Sequence, residues 1–252
     1  MRWIKVLGLI AVVYVLALLV YFPVGHVYAW VQPQVKQAQL YGLHGTPWSG
    51  KADVAIIAGL RFKNLHWRIR FLPLLLGRVQ LGVSVDVGRQ RIHGDVGRSW
   101  TGVRYIQSWT GKLAVNKMLE MAKIRIAEAE GHLSLENIGV SLDAENVKSA
   151  TGKITWQNAK LTVLQTVDLD EIHADISEEK NMLKAMLSSS TDSAIDVDGT
   201  FTLKPSGEYS FNGKVAERKK IGLQQILAGR CRRGRDGKCR VKWEARLPFK
   251  LM

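Results

Sequence analysis

Apolar and polar residues alternate along most of this chain, and this period restricts its fold more than any other feature. The clearest example runs from Val79 to Val87, and the same spacing recurs at residues 65–71, 195–203, 209–213 and 241–247. Successive side chains of a β-strand point to opposite faces, so the pattern predicts half-buried antiparallel strands joined by short turns. We therefore expect a mainly β protein with one elongated antiparallel sheet.

Helical spacing replaces this alternation in a few places. One stretch, from Lys112 to Glu130, is rich in Ala, Lys, Glu and Met and carries an apolar stripe at helical spacing. A second runs from Glu179 to Leu187 and leads into a serine-rich linker. Shorter helices are predicted at residues 35–41 and 222–227. We expect one or two short helices to pack on the sheet.

The amino terminus carries an uncharged apolar run from Val6 to Phe22, preceded by Arg2 and Lys5. About 17 helical residues span roughly 25 Å, which is just enough to cross a bilayer core. Positive charge before the run predicts a cytoplasmic amino terminus. The expected organisation is a cytoplasmic tail (residues 1–5), a single transmembrane helix in the inner membrane (6–24) and a periplasmic β-rich domain (25–252).

A cleaved signal peptide is the alternative for this segment. Val27-Tyr28-Ala29 has the small-residue pattern of a cleavage site, whereas the apolar run is longer than the usual signal-peptide core. Tyr28 and Trp30 suit a membrane interface, which favours a retained anchor. Both interpretations place the domain in the same compartment.

The net charge of +14 would fit a nucleic-acid partner, but the export signal argues against one. The basic residues mostly alternate with apolar ones, as they do on a solvated strand face. An acidic partner surface, anionic headgroups or a basic surface without a specific partner would explain the charge equally well. We therefore expect no nucleic acid among the partners.

The two cysteines, Cys231 and Cys239, enclose a short basic segment that contains Arg-Asp-Gly. Their spacing is not a zinc pattern, and in an oxidising compartment it predicts a disulfide that closes a hairpin. Closing a loop of about nine residues is expected to stabilise the fold by roughly 2–3 kcal/mol. Two buried free thiols are the alternative.

A glycine–tryptophan motif occurs twice with identical spacing. Its copies consist of Gly42, Gly45, Trp48 and Gly50, and of Gly94, Gly97, Trp100 and Gly102. A looser third copy contains Gly152 and Trp156. Glycine permits bulges and close strand approach, and tryptophan covers an apolar face. The motif therefore predicts repeated strand–turn–strand units within the sheet.

Motifs for catalysis and for metal binding are missing from the sequence. The chain has neither a glycine-rich phosphate loop nor a Gly-x-Ser-x-Gly elbow, and its six histidines are scattered. Asp168, Asp170 and Glu171 lie close together but lack the pattern of a calcium loop. Ser49 and Thr101 fit turn or cap hydroxyls. We expect no enzymatic activity, no catalytic residues, no cofactor and no metal.

Several short motifs follow the apolar amino-terminal run in a defined order. They are the segment from Gly42 to Gly50, Leu65-His-Trp67-Arg-Ile-Arg, Leu74-Leu-Leu-Gly77-Arg, the segment from Gly152 to Trp156, the Gly207-Glu-Tyr209 turn and a carboxy-terminal short helix plus hairpin. By their order and spacing, the chain resembles the protein N family of the bacterial type II secretion system over nearly its whole length. The glycine–tryptophan pattern is also similar to parts of the AsmA-like bridging proteins.

The first resemblance implies an accessory or structural component of the secretion system, located in the inner membrane. Such a component would support export of folded proteins through the outer-membrane secretin. Its expected partners are inner-membrane platform proteins or the secretin, which exposed strand edges would contact by β-augmentation. The resemblance implies no enzymatic role and no inherited site residues.

The second resemblance keeps a lipid- or glycolipid-handling module as the alternative function, with lipid as a partner. One apolar face would form a trough for acyl chains, with Arg68 and Arg70 near the headgroups. Its residues are Trp67, Phe71, Val83, Val85, Phe201, Phe211 and Trp243. An ordinary core, covered by the helix from Lys112 to Glu130, explains the same residues and is the interpretation we favour.

Overall fold

The structure is a computed structural model, and it describes residues 2–32, 38–57, 60–121, 128–143, 146–162, 166–219, 232–234 and 238–246. Four helices are found within these ranges. They are α1 (Arg2–Tyr21), α2 (Val24–Val31), α3 (Phe71–Leu75) and α4 (Val115–Met121).

The described strands form one 14-stranded antiparallel sheet. The first twelve strands lie side by side in sequence order, and the sheet ends in the order β12-β14-β13. The strands are β1 (Ala38–Gly45), β2 (Ser49–Ile57), β3 (Leu60–Arg70), β4 (Arg78–Val87), β5 (Gln90–Ser99), β6 (Arg104–Ala114), β7 (Glu128–Leu142), β8 (Val147–Thr162), β9 (Thr166–Glu179), β10 (Met182–Ser189), β11 (Ile195–Leu203), β12 (Glu208–Glu217), β13 (Arg232–Arg233) and β14 (Cys239–Arg246). The prediction of a mainly β, antiparallel fold is confirmed.

Most of the strands predicted from the alternation are present in the structure. The strand expected at 195–203 coincides with β11, and β4 extends the run from Val79 by one residue. The strand expected at 65–71 ends one residue early, because Phe71 begins α3. The Pro205-Ser206-Gly207 turn separates β11 from β12, as the sequence indicates. Leu247 lies outside the described residues.

The helix predictions were less accurate. The stretch from Glu179 to Leu187 is a hairpin, in which β9 and β10 are joined by Lys180 and Asn181. Both of these residues have positive φ, 53° and 61°, as the central residues of a two-residue type I′ turn require. The register with β9 and β11 overrides the helical composition of Met182–Ser189.

The helix predicted from Lys112 to Glu130 is also mostly wrong. Only α4, seven residues long, is helical in the described part of this stretch. Lys112 and Leu113 end β6, where Leu113 pairs with Leu133 of β7. The helix predicted at 35–41 is wrong from Ala38 onward, because β1 begins there and pairs with β2. Residues 35–37, 122–127 and 222–227 lie outside the described residues.

Helix α1 covers the predicted membrane segment, and Pro23 separates it from α2. In the part of the chain that the structure describes, no helix is both long and apolar enough to cross a membrane.

The sheet bends at bulges in its middle strands. Asn64, Ser108, Asn137 and Asn158 have positive φ inside β3, β6, β7 and β8, and the strand register shifts at each of them. A β-bulge bends its strand and increases the local twist. Bulges in adjacent long strands therefore curl the sheet instead of leaving it flat.

Candidate functional site

The two faces of the sheet differ sharply in polarity. Residues that pair directly across two strands present their side chains on the same face. One such row crosses almost the whole sheet and contains Ile69, Leu81, Val96, Ile106, Val140 and Ala150, continuing from Gly152 through Ile176, Ala185, Phe201, Phe211 and Trp243. We call this side of the sheet the apolar face.

The apolar face is concave. Leu81 of β4 and Leu203 of β11 line one cavity of about 680 Å³. In a flat sheet, seven strand spacings would hold these strands roughly 34 Å apart. Their meeting around one cavity shows that the sheet curls with its apolar face inward.

A second cavity of about 470 Å³ continues this concave surface toward the carboxy-terminal strands. Phe201, Tyr209 and Phe211 line it together with Trp243, whose side chain is 49% exposed. The rings of Tyr209 and Trp243 meet edge to face, with centroids 5.8 Å apart. Such an apolar surface binds a hydrophobic ligand or partner more readily than a polar one.

The sequence predicts that a helix from Lys112 to Glu130 covers the apolar face. No described helix does so. Helix α4 packs at the ends of β6 and β7, and Val115 is its buried contact, 5% exposed. The long covering helix of the favoured interpretation is therefore wrong for the described residues, although Val85, one of the named face residues, is buried in a small core cluster. The described core consists of two small clusters, one around Val85 and Ile92 and one around Ala159 and Leu169.

The trough residues named from the sequence are brought together with one exception. Trp67, Val83 and Val85 share the apolar face of the amino-terminal half, and Phe201, Phe211 and Trp243 share it in the carboxy-terminal half. Phe71 lies apart in α3, with its ring 6.2 Å from that of Trp48.

The opposite face of the sheet is polar and holds Arg68 and Arg70. Arg68 pairs with Gly82 in the register, not with a trough residue. The Nε atom of Arg70 lies 2.9 Å from an oxygen of Asp95, which is only 8% exposed. A β-carbon on Gly82 would lie 3.3 Å from the same carboxylate. Because Gly82 has no side chain, β4 leaves room for the ion pair between Arg70 of β3 and Asp95 of β5. The expected position of Arg68 and Arg70 at the trough is therefore wrong.

The polar face also carries a groove of about 660 Å³ beside this ion pair. His66, Ser84 and His93 line it together with Thr110. These side chains could bind a polar group, but no base is paired with a nucleophile among them in the hydrogen bonds of the described residues.

Both copies of the glycine–tryptophan motif span a hairpin turn. In the first copy, Gly42 and Gly45 lie in β1, Trp48 in the turn and Gly50 in β2. In the second, Gly94 and Gly97 lie in β5, and Trp100 and Gly102 in the turn before β6. The looser third copy lies inside β8, away from a turn.

The glycines of the motif make room for aromatic rings from the following strand. A β-carbon on Gly50 would overlap the ring of Trp67, one on Gly94 the ring of Trp109, and one on Gly97 the ring of Tyr105. Trp109 was not singled out from the sequence, although its alternation with polar residues would have placed it on the apolar face. By contrast, Trp100 is 80% exposed, and a β-carbon on Gly77 would lie 3.6 Å from its ring, in ordinary contact.

Cys239 is buried at the start of β14, 5% exposed, and its register partner is Val215 on the apolar face. The sequence places the sulfur on this face correctly. Cys231 lies outside the described residues, so the disulfide stays a prediction.

The acidic residues near Asp170 have structural roles. The Asp168 carboxylate accepts the backbone N–H of Asp170, and Asp170 accepts the hydroxyl of Ser190 at 2.7 Å. Among the described residues, no group of three or more His, Cys, Asp or Glu side chains is arranged to hold a metal ion.

Asp196 ties the last strands to the rest of the sheet. One of its oxygens lies 2.9 Å from Nζ of Lys238, and the other lies 2.7 Å from the guanidinium of Arg218. The hydrogen bond from Lys238, with the positive charges of Lys238 and Arg218, lowers the pKa of Asp196. The carboxylate is therefore ionised at neutral pH and fixes the approach to β14.

The two edges of the sheet differ in how they are covered. At β1, the Tyr28 hydroxyl of α2 accepts the Leu40 N–H at 2.8 Å and lies 3.4 Å from the Ala38 carbonyl oxygen. At the other edge, β13 pairs only with Cys239 and Arg240 of β14. From Val241 onward β14 pairs with β12 alone, and no described strand covers its outer edge.

Comparison with known proteins places these features in a family context. A sequence model described as "Type II secretion system (T2SS), protein N" matches residues 36–242. A type II secretion system protein N from Pectobacterium carotovorum subsp. carotovorum is 23% identical over 210 residues, 81% of this chain and 82% of the relative. A protein of the same name from Klebsiella pneumoniae is 23% identical over 215 residues, 82% of each chain. No solved structure matches the chain significantly.

Proposed function

This chain belongs to the type II secretion system protein N family, and on that premise we propose how it acts as a component of the system. It is an accessory, structural protein anchored in the inner membrane, and its periplasmic domain supports export of folded proteins across the outer membrane. It contributes contacts with other secretion proteins and catalyses no reaction.

The apolar run from Val6 to Phe22 supports the proposed anchor. Helix α1 has 20 residues, and its sequence carries no charge after Lys5. At 1.5 Å per residue it measures about 30 Å. Leu7 and Ile10 are 70% and 62% exposed, so the sheet gives these side chains no apolar surroundings.

The outer edge of β14, which no described strand covers from Val241 onward, supports the proposal for partner binding. Unpaired backbone groups on an edge strand form hydrogen bonds with an extended segment of another chain. Trp243 adds exposed apolar area beside that edge, and Lys242 and Glu244 flank it on the polar face. Anchoring in the membrane would raise the effective concentration of the domain near other inner-membrane proteins, which strengthens weak contacts.

Site-specific photocrosslinking in the native host tests this mode of binding. A photoreactive amino acid at Lys242, on β14, should crosslink to another secretion protein. The matched control position is Lys153, an exposed lysine in the middle strand β8, which is paired on both sides. Equal crosslinking from both positions, or none from Lys242, would contradict binding at the β14 edge.

The concave apolar face favours a second candidate function, an AsmA-like lipid- or glycolipid-handling module. Two cavities lie along this face, and apolar side chains form most of their lining. Native mass spectrometry of the full-length protein, released from detergent, tests this candidate. Lipid bound at stoichiometric level would support it, and a lipid-free protein would remove it while leaving the secretion role intact.

A further inference from the structure

Two arginines lie at one end of the apolar cavity. Arg98 is the second-last residue of β5, Arg104 is the first residue of β6, and the two are direct register partners. Both line the cavity of about 680 Å³ together with Val79, Val96 and Leu142. The period of two places Arg98 in phase with Val96 and Arg104 in phase with Ile106, so both side chains belong to the apolar face.

Arg98 and Arg104 differ from three other described arginines in having no carboxylate partner among the described residues. Arg70, Arg91 and Arg218 each pair with an aspartate at 2.7–2.9 Å. Within the described part of the chain, Arg98 and Arg104 make no ion pair, and no carboxylate lines their cavity. Like charges directly opposite each other across two strands destabilise a sheet. An anion bound between them would remove that cost.

The surface around this end of the cavity is apolar. The segment after β3 exposes Leu72, Leu75 and Leu76 by 76–85%, and Val79 at the cavity wall is 44% exposed. Trp100, in the turn between β5 and β6, is 80% exposed. A small, fully hydrated anion gains nothing from such surroundings, whereas a molecule with acyl chains does.

From this arrangement we infer that the cavity binds an anionic phospholipid. Its phosphate lies between the guanidinium groups of Arg98 and Arg104, and its acyl chains extend along the apolar face. Arginine is suited to this role because its planar guanidinium donates two parallel hydrogen bonds to phosphate oxygens. The cavity volume lies within the range of small-molecule sites. The inference rests on the second candidate function and adds the chemical class of the lipid and its site.

Native mass spectrometry with added lipid tests the site on the full-length protein in nonionic detergent. The wild type should bind phosphatidylglycerol roughly tenfold more tightly than diacylglycerol, which has the same acyl chains but no phosphate, the size expected when charge-assisted hydrogen bonds are lost. The variant Arg98→Gln/Arg104→Gln should lose that preference. The control Arg68→Gln/Arg240→Gln removes the same charge from the polar face and should keep it.

Thermal unfolding without lipid separates a binding role from a structural one. The variant Arg98→Gln/Arg104→Gln should be at least as stable as the wild type, because it relieves repulsion between two cations. A clear drop in Tm would assign the arginines a structural role and overturn the inference.

The remaining outcomes distinguish the inference from the function on which it rests. Equal binding of both lipids by wild type and variant would overturn the arginine site but retain the lipid module. Stabilisation by inorganic phosphate alone, equal to that by phosphatidylglycerol, would overturn the lipid assignment. Binding of neither lipid would remove both.

Discussion

Trp67 of β3 lies directly opposite Gly50 of β2, and its indole occupies the space that a β-carbon at residue 50 would need. The indole N–H donates to the Pro47 carbonyl oxygen at 3.2 Å. Trp109 repeats this arrangement over Gly94, with its N–H bonded to the Asp95 carbonyl oxygen at 3.0 Å. These glycine–tryptophan pairs define the packing of the apolar face in the amino-terminal half of the sheet.

We predict that Gly50→Ala destabilises the protein by about 1–3 kcal/mol, the usual cost of overpacking. The added methyl group would force Trp67 away from the apolar face. Urea unfolding followed by tryptophan fluorescence measures the free energy of unfolding. Gly25→Ala is the control, because a β-carbon on Gly25 of α2 meets no atom within 4 Å. Equal stability of Gly50→Ala and wild type would show that the indole of Trp67 can pack on β2 without a glycine at residue 50.

Asp196→Asn should lower the stability of the protein at neutral pH by about 1 kcal/mol, because two partly exposed ion pairs are lost. Since the pKa of Asp196 is lowered in the folded protein, its contribution is present above the unfolded pKa of about 4. That contribution disappears as pH falls through the lower folded pKa. Unfolding at several pH values should show wild type and variant converging in acid.

The matched control for this prediction is Asp198→Asn, two residues along β11. Asp198 is exposed and forms no ion pair within the described residues. The variant Asp198→Asn should have the same free energy of unfolding as the wild type, within experimental error. A similar loss in both variants at neutral pH would assign the effect to net charge, not to the contacts with Lys238 and Arg218.

Cys231 and Cys239 are predicted to form a disulfide in the protein isolated from its native compartment. Alkylation followed by intact mass measurement, with and without reductant, decides this directly. Cys231→Ser should cost roughly 2–3 kcal/mol if the loop-closure estimate holds. Labelling of both thiols without reductant would contradict the disulfide.

The membrane topology gives a fourth prediction. Fusion of a reporter that is active only outside the cytoplasm should give activity when it follows residue 246, because the anchor exports everything after it. The purified chain should also begin at residue 1 or 2 if the anchor is retained. A mature chain that begins after Ala29 would establish cleavage at Val27-Tyr28-Ala29 instead.

The strands could be predicted from the sequence because their apolar phase is a local property. Ile195–Leu203 shows this, since each residue alternates as its neighbours in the sheet require. Helices were predicted poorly where composition and pairing disagree. Lys184 and Met186 favour a helix in isolation, but Met182–Ser189 lies between β9 and β11 and pairs with both.

The sequence offered the apolar trough only as an alternative to an ordinary core, because the choice between them depends on contacts between distant strands. Alternation places Leu81 and Leu203 on some apolar face, but nothing local indicates that both line one cavity. The bulges at Asn64, Ser108 and Asn137 produce the curl, and single asparagines or serines in a strand are weak signals for it. Arg98 and Arg104 could have been noticed in the sequence. Each occupies a position where the alternation with Val96 or Ile106 predicts an apolar residue.

Affinity purification of the tagged full-length protein from detergent-solubilised membranes of its host tests the proposed secretion role most directly. Mass spectrometry of the purified material should identify inner-membrane platform proteins of the type II secretion system or the secretin, at levels well above an unrelated tagged membrane protein. Recovery of neither, from cells that assemble a working secretion system, would contradict a structural role in that complex.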